Sequence, residues 1–270
     1  MGITFFTSMV GISGAFLLVP FQISLFGFAS PSASATNLVF NLIAIPGGIY
    51  RYWRENRLFL PLALIITLGG IPGTLIGVWL RTHWLAERAA FEIFVAVILF
   101  YLAVRMLLDL RRKELTAAVA EPVRLLDWNR HTIRFVQGEH TYAFGVPSML
   151  GLSFLIAIIG SAYGVGGGAF MVPLCLTLYG LPLHAIAGAT LTATLLTSGF
   201  ALAAYIWLPV PAGVIAQPDG WLGLAFGLGG LVGTYLGARC QRYVSQRVLR
   251  GFLTLLLFGL ALDYIWPSSL

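Results

Sequence analysis

Charge is what this sequence has least of. Only 10% of its 270 residues are Asp, Glu, Lys or Arg, against about a quarter in soluble domains. Residues 140–218 contain none at all. Such a chain has no polar surface to offer water along most of its length, which excludes an ordinary soluble domain. Cysteine is nearly absent too: Cys175 and Cys240 form neither a CxxC pair nor a disulfide framework. The opening segment, MGITFFTSMV, lacks a basic n-region and a cleavage site, so it does not read as a signal peptide. Phe6 stands where N-myristoylation needs Ser or Thr. The four histidines, His83, His131, His140 and His184, fall in expected loops or at helix ends, with no HxxxH or ExxH pattern. No metal or cofactor is therefore expected.

What remains is hydrophobe, 59% of the chain. Uncharged windows recur at 31–50, 58–80 and 221–238, and a bilayer core of ~30 Å needs about 20 such residues. The expected class is an all-α polytopic membrane protein. The formal charge of +6 comes from arginines clustered in a few loops, which read as topology signals rather than as a nucleic-acid patch.

The chain is also written twice. GISGAFLLVP (11–20) lies over GVGGGAFMVP (164–173), with Gly11 on Gly164, Gly14 on Gly167 and Pro20 on Pro173. Gly27 then falls on Gly180, Asn37 on Thr190 and Asn41 on Thr194. GGIPGTLIG (69–77) matches GGLVGTYLG (229–237). Such a match marks an internal repeat. The loop RYWRENR (51–57) carries three arginines and its counterpart, 206–220, none; the next pair of loops reverses the bias, with Arg81 and Arg88 against Arg239, Arg242, Arg247 and Arg250. Matching loops are thus expected on opposite sides of the membrane, as in inverted-repeat transporters. The expected organisation is a first repeat at 1–108, a linker at 109–143 and a second repeat at 144–270.

Each repeat is read as a Gly-tipped helical hairpin followed by three transmembrane helices. In the second, the limbs are expected at 144–163 and 169–179, joined by Gly164, Gly166, Gly167 and Gly168. In the first, only ten residues precede Gly11, so its upstream limb is short. Between the repeats, residues 105–144 hold seven basic and five acidic residues and are expected on the cytoplasmic side. There TIRFVQGEHTYAF (132–144) alternates about Gln137-Gly138, a β-hairpin signal. It is read equally as a structural cap, a dimer contact or a regulatory element.

The run Gly164-Val165-Gly166-Gly167-Gly168-Ala169 fits G-x-G-x-x-G/A, but a dinucleotide reading needs a preceding strand and a later acidic residue, and neither is expected. Irregular backbone at membrane depth lines a cavity or is buried in protein. Glycine lets a ligand approach the backbone, and the N-terminus of the following limb favours an anion. The competing reading is close helix packing, preferred for Gly69, Gly73, Gly77, Gly229, Gly233 and Gly237. The candidate substrate-binding residues are Ser13, Gly14, Gln22, Asn37, Asn41, Tyr163, Gly166, Gly167, Gly168, Cys175, Thr190 and Thr194. Asn37/Asn41 and Thr190/Thr194 are i,i+4 pairs at matching positions of the two repeats, and Gln22 matches Cys175. On this reading Gly167→Leu blocks transport with the fold intact.

GVGGGAFMVPLCLTLYGLPLHAIAGATL resembles the second-repeat signature of the sulfite exporter TauE/SafE family, while GISGAFLLVP and SATNLVFNLIAIPGGIYRY resemble the first. RFVQGEHTYAF is similar to the hairpin insert of one subgroup. The resemblance runs over essentially the whole chain, with departures at Ser13 and Ala15, where glycines are usual, and at the short N-terminus. It implies a permease for sulfite, sulfonates such as sulfoacetate, or related organic anions in the bacterial inner membrane. Alternating access between the two tips is the implied mechanism, with oligomer formation left open. A monoanion leaving an inside-negative cell gains ~2.3 kcal/mol per 100 mV, so export needs no coupling ion; proton coupling through Glu92 or Asp263 is the alternative. A membrane-embedded enzyme would need a nucleophile with a base or paired carboxylates, and no such pattern occurs. A sensor built on the linker would predict no flux.

Overall fold

The computed structural model describes residues 1–26, 30–110 and 122–265. A short pair, α1 (Gly2–Met9) and α2 (Ala15–Phe26), is followed by α3 (Pro31–Arg54), α4 (Leu60–His83) and α5 (Arg88–Leu110). Next come β1 (Val123–Trp128), β2 (Thr132–Gln137) and β3 (His140–Gly145). The chain then forms a second pair, α6 (Val146–Tyr163) and α7 (Met171–Leu178), and three further helices, α8 (Leu183–Trp207), α9 (Gly220–Cys240) and α10 (Gln246–Ile265). Prolines sit in the first turns of α3, α4 and α6, where a missing N–H costs nothing. The Asp219 side chain accepts from Leu222 N to cap α9.

Among the described residues, five helices, α3, α4, α6, α8 and α9, are long and apolar enough to cross a bilayer. The 18 residues of α6 reach about 27 Å, so this limb runs nearly the full hydrocarbon depth. Side chains on the outside of the bundle are apolar and exposed, among them Leu64, Leu68 and Trp79, as lipid contact requires. Trp53, Trp84, Trp207 and Trp221 stand exposed at helix ends, where amphipathic rings favour the headgroup level.

The centre is built by α3 and α8, packed on each other. The main contacts between the two halves come in exchanged pairs. Helix α3 packs along α9 and α8 along α4; α1 packs on α9 and α6 on α4; α2 touches α10 and α7 touches α5; α5 and α10 face each other. Glycine makes the tightest of these possible. A Cβ at Gly69 would lie 2.5 Å from Leu150 O, and those at Gly73 and Gly77 would strike Phe154 O and Ile158 O. On α9, Gly233 and Gly237 meet Thr4 and Phe5 in the same way. These are packing glycines. Gly73→Leu is expected to destabilise the protein by about 1–3 kcal/mol or more. Gly151→Leu, with no atom within 4 Å of its Cβ position, should melt like the parent in the same thermal scan.

The linker is more elaborate than a hairpin. Strand β2 pairs antiparallel with β3 as the alternation predicts, but β1 adds a third strand on the other side, giving the order β1-β2-β3. Phe135 is fully buried and its ring lies 4.7 Å from that of Phe59, at the start of α4. Because β3 runs directly into α6, the sheet is anchored to the bundle at two points. The linker residues 111–121 and Gly27 lie outside the described residues, as do the side chains of Arg105 and Asp263.

Candidate functional site

Midway along α3, Asn41 ties together both glycine loops. Its Nδ2 donates to Val165 O (3.1 Å) and to Ser198 Oγ (3.0 Å), and its Oδ1 accepts from Ser13 Oγ. The Ser13 hydroxyl oxygen in turn accepts from Ala15 N at 3.2 Å. Across the seam on α8, Thr190 Oγ1 donates toward Gly11 O at 3.1 Å, and Thr197 Oγ1 accepts from Gly167 N at 2.9 Å. Thr194 bonds back to Thr190 O at 2.7 Å and stands beside Gly166 and Gly168. Ser13, Asn41, Thr190, Thr194, Gly166, Gly167 and Gly168 are therefore brought together, all of them buried. Thr197 and Ser198 belong to the seam and were not among the sequence candidates; each falls one turn beyond Thr194 on the same helix.

The loops are packed more closely than an open binding tip. A Cβ at Gly167 would lie 2.8 Å from Ala157 Cβ and 3.3 Å from Thr197 Cγ2, and one at Gly168 only 2.5 Å from Thr190 O. Leucine at 167 does not fit this fold, so the expectation that Gly167→Leu leaves the structure intact is corrected: that space is filled by α6 and α8. Gly14 is likewise a packing residue, set against Thr4 and Phe40.

Two candidates are of another kind. Asn37, one turn before Asn41, and Gln22 on α2 are both fully buried. In each, both side-chain polar atoms have no hydrogen-bond partner among the described residues. An unsatisfied buried polar group costs roughly 1–3 kcal/mol, and native structures rarely keep one without a reason. Tyr163, Cys175 and Glu92 are placed as follows. The Tyr163 hydroxyl donates to Phe16 O at 2.9 Å and its ring packs with Phe16, Phe91 and Phe170. Cys175 is a free, buried thiol on α7. Glu92 is paired with Arg88 at 2.7 Å on the surface of α5. Among the described residues no three His, Cys, Asp or Glu side chains are grouped to hold a metal.

Sequence reading also missed two arginines buried at opposite ends of the central helices. Arg57 donates to Gln241 Oε1 (2.7 Å) and Ala238 O (2.9 Å), and lies over the Tyr52 ring. Arg81 donates to Ser34 Oγ (3.2 Å) and Leu85 O, with its guanidinium 3.8 Å from the Phe91 ring centroid. A signal was available for one of them. In the alignment of the two glycine-rich helices, Arg81 falls on Gln241, the residue that Arg57 contacts.

A bundle of apolar spans whose centre holds broken helices and a buried polar seam is the construction of a multi-pass membrane transporter. Comparison with known proteins names the kind. The profile of "Sulfite exporter TauE/SafE" matches residues 1–264, and the chain belongs to that family. It is 21% identical, over 95% of its length and 92% of the relative's, to a protein of Bacillus subtilis (strain 168) described as "Probable membrane transporter protein YunE". No solved structure matches the chain.

Proposed function

We propose that the protein is an inner-membrane permease for small sulfur-containing anions, sulfite or organosulfonates such as sulfoacetate, working chiefly as an exporter. Residues 1–108 and 144–270 act as inverted repeats, and the exchanged pairs of inter-helix contacts support this arrangement. The arginine-rich ends, with the linker, face the cytoplasm under the positive-inside rule. The substrate binds in the seam between α3 and α8, and each side gains access in turn as one repeat rocks against the other. The observation that carries the reading is that two buried amides, Asn37 and Gln22, have no partner among the described residues. Both can donate to an oxyanion without adding a charge to the membrane centre. An outward-driven anion needs no proton carrier, and none of the described seam residues is a carboxylate.

Efflux from proteoliposomes loaded with sulfite, sulfoacetate, taurine, acetate or chloride tests this directly. Under an inside-negative potential, saturable efflux of sulfite or one sulfonate is expected, with acetate and chloride slower. Equal, non-saturating efflux of every anion would overturn the carrier reading. A melting-temperature panel with the same anions gives an independent check, since a ligand at 100 times its dissociation constant stabilises the native state by ~2.7 kcal/mol.

A further inference from the structure

At the arginine-rich end of the bundle the charges do not balance. The Glu55 carboxylate is shared by Arg51, Arg57 and Arg242, the last at 3.3 Å. Among the described residues no second carboxylate joins them, so three guanidinium groups surround one negative charge. The same cluster holds donors with nothing to bond. Among the described residues, Arg51 Nε, Arg57 Nε, Arg242 Nε and Gln241 Nε2 are buried without an acceptor. His184 Nδ1, a donor or an acceptor according to its tautomer, has no partner either, and the cluster's one acceptor in that state, Glu55 Oε1, lies in ion-pair range of Arg51 and Arg242. Arg57, His184 and Gln241 are each at least 98% buried, and His184 lies within electrostatic reach of Arg57 and shares a side-chain hydrogen bond with Gln241. The groups come from both halves: Arg51, Glu55 and Arg57 from the end of α3 and the loop after it, His184 from the start of α8, Gln241 and Arg242 from the end of α9.

An excess of positive charge, with several N–H groups lacking acceptors, calls for a compact anion with several oxygens. A cation is repelled, and a neutral solute leaves the charge unanswered. Guanidinium Nε–H beside an amide N–H suits the oxygens of a sulfur or phosphorus oxyanion. We infer that Arg57, His184 and Gln241 form an oxyanion site at the arginine-rich mouth of the bundle, separate from the seam at Asn37. The oxyanion group has two sources, a free ion or the phosphate of an anionic lipid. The near-complete burial of Arg57 and Gln241 inside the bundle favours the free ion. The site does not depend on the seam reading and stands if the seam binds nothing.

The test uses purified full-length protein in nanodiscs, in the Asn37→Leu background so that the seam amide is removed. Sulfate binding is measured in phosphatidylcholine discs, and melting is compared between phosphatidylcholine and phosphatidylglycerol discs. Gln241→Glu is the decisive variant, because it supplies a carboxylate where the anion would sit and keeps the side-chain volume. Sulfate binding weakened at least tenfold by Gln241→Glu supports the site and identifies a free ion. A phosphatidylglycerol-dependent rise in melting temperature that Gln241→Glu removes supports the site and identifies a lipid. Responses to sulfate and lipid that are the same with and without Gln241→Glu, or absent in both, overturn it. Parallel flux with the Asn37→Leu single variant keeps the readings apart. Lost flux with retained sulfate binding fails neither, whereas retained flux fails only the seam.

Discussion

Asn37→Leu should melt higher than the parent protein and transport worse. The parent keeps the Asn37 amide fully buried with neither polar atom paired among the described residues, a cost of roughly 1–3 kcal/mol for each such group. Leucine keeps the branching and heavy-atom count of the amide and removes that cost, so the folded state gains. If the amide donates to the substrate, its loss forfeits a hydrogen bond to a charge, about 1.5–3 kcal/mol, or roughly 10- to 150-fold in affinity. Asn41→Leu provides the contrast. Asn41 already bonds Val165 O, Ser198 Oγ and Ser13 Oγ, and its removal strands those groups in the interior. That variant should therefore melt lower and lose transport through the fold. The pair is measured by thermal unfolding and by saturation of efflux against substrate concentration. A structural role for Asn37 would appear as a lowered melting temperature with an unchanged half-saturating concentration, and would sink the binding role.

The division of labour between the two asparagines was only half legible in the sequence. Both lie on one helical face at i and i+4, aligned with Thr190 and Thr194, which identified them as a pair. Which one was already satisfied depended on a partner far along the chain, Val165, and on Ser198, and no local pattern reports that. The hairpin limbs were readable to within two residues, as 144–163 against Val146–Tyr163 and 169–179 against Met171–Leu178. Apolar runs and a cluster of glycines mark such limbs without ambiguity. Strand β1 was not readable. VRLLDW places two leucines in succession and its pairing slips between Leu125 and Asp127, so the two-residue period that reveals a half-buried strand is broken. The buried arginines were hidden for a different reason. In sequence, arginine at a span end is a topology signal, and Arg57 behaves as one while also burying its guanidinium against the Gln241 side chain, Ala238 O and Tyr52.

The glycine loops show the deepest limit of sequence reading, because a glycine kept for a ligand and one kept for a neighbouring backbone look alike. Gly11 and Gly164 settle that question by geometry and lead to the second large effect. They occupy equivalent repeat positions and both have left-handed backbone, φ +75° and +92°. Each is also pressed against the other half's central helix. A Cβ at Gly11 would lie 2.5 Å from Ala187 Cα, and one at Gly164 would lie 2.5 Å from Ser34 Cα. Ala187 and Ser34 align under the same 153-residue shift as Gly164 and Gly11, so the two tips make the same kind of contact, each with the opposite half. Alanine at either site meets two penalties, left-handed strain of about 1–2 kcal/mol and overpacking against backbone of about 1–3 kcal/mol. Gly11→Ala and Gly164→Ala are thus each expected to cost roughly 2–5 kcal/mol, with a fall in melting temperature or loss of monodisperse protein. Gly180→Ala separates the two penalties, since Gly180 has φ +62° and nothing within 4 Å of its Cβ position, leaving strain alone. Equal losses at Gly11 and Gly164, both larger than at Gly180, are the result expected if two equivalent tips lock the repeats together. A large loss at Gly164 with a small one at Gly11 would mean that only the second hairpin bears on the opposite half, and that the repeats have ceased to be mechanically equivalent.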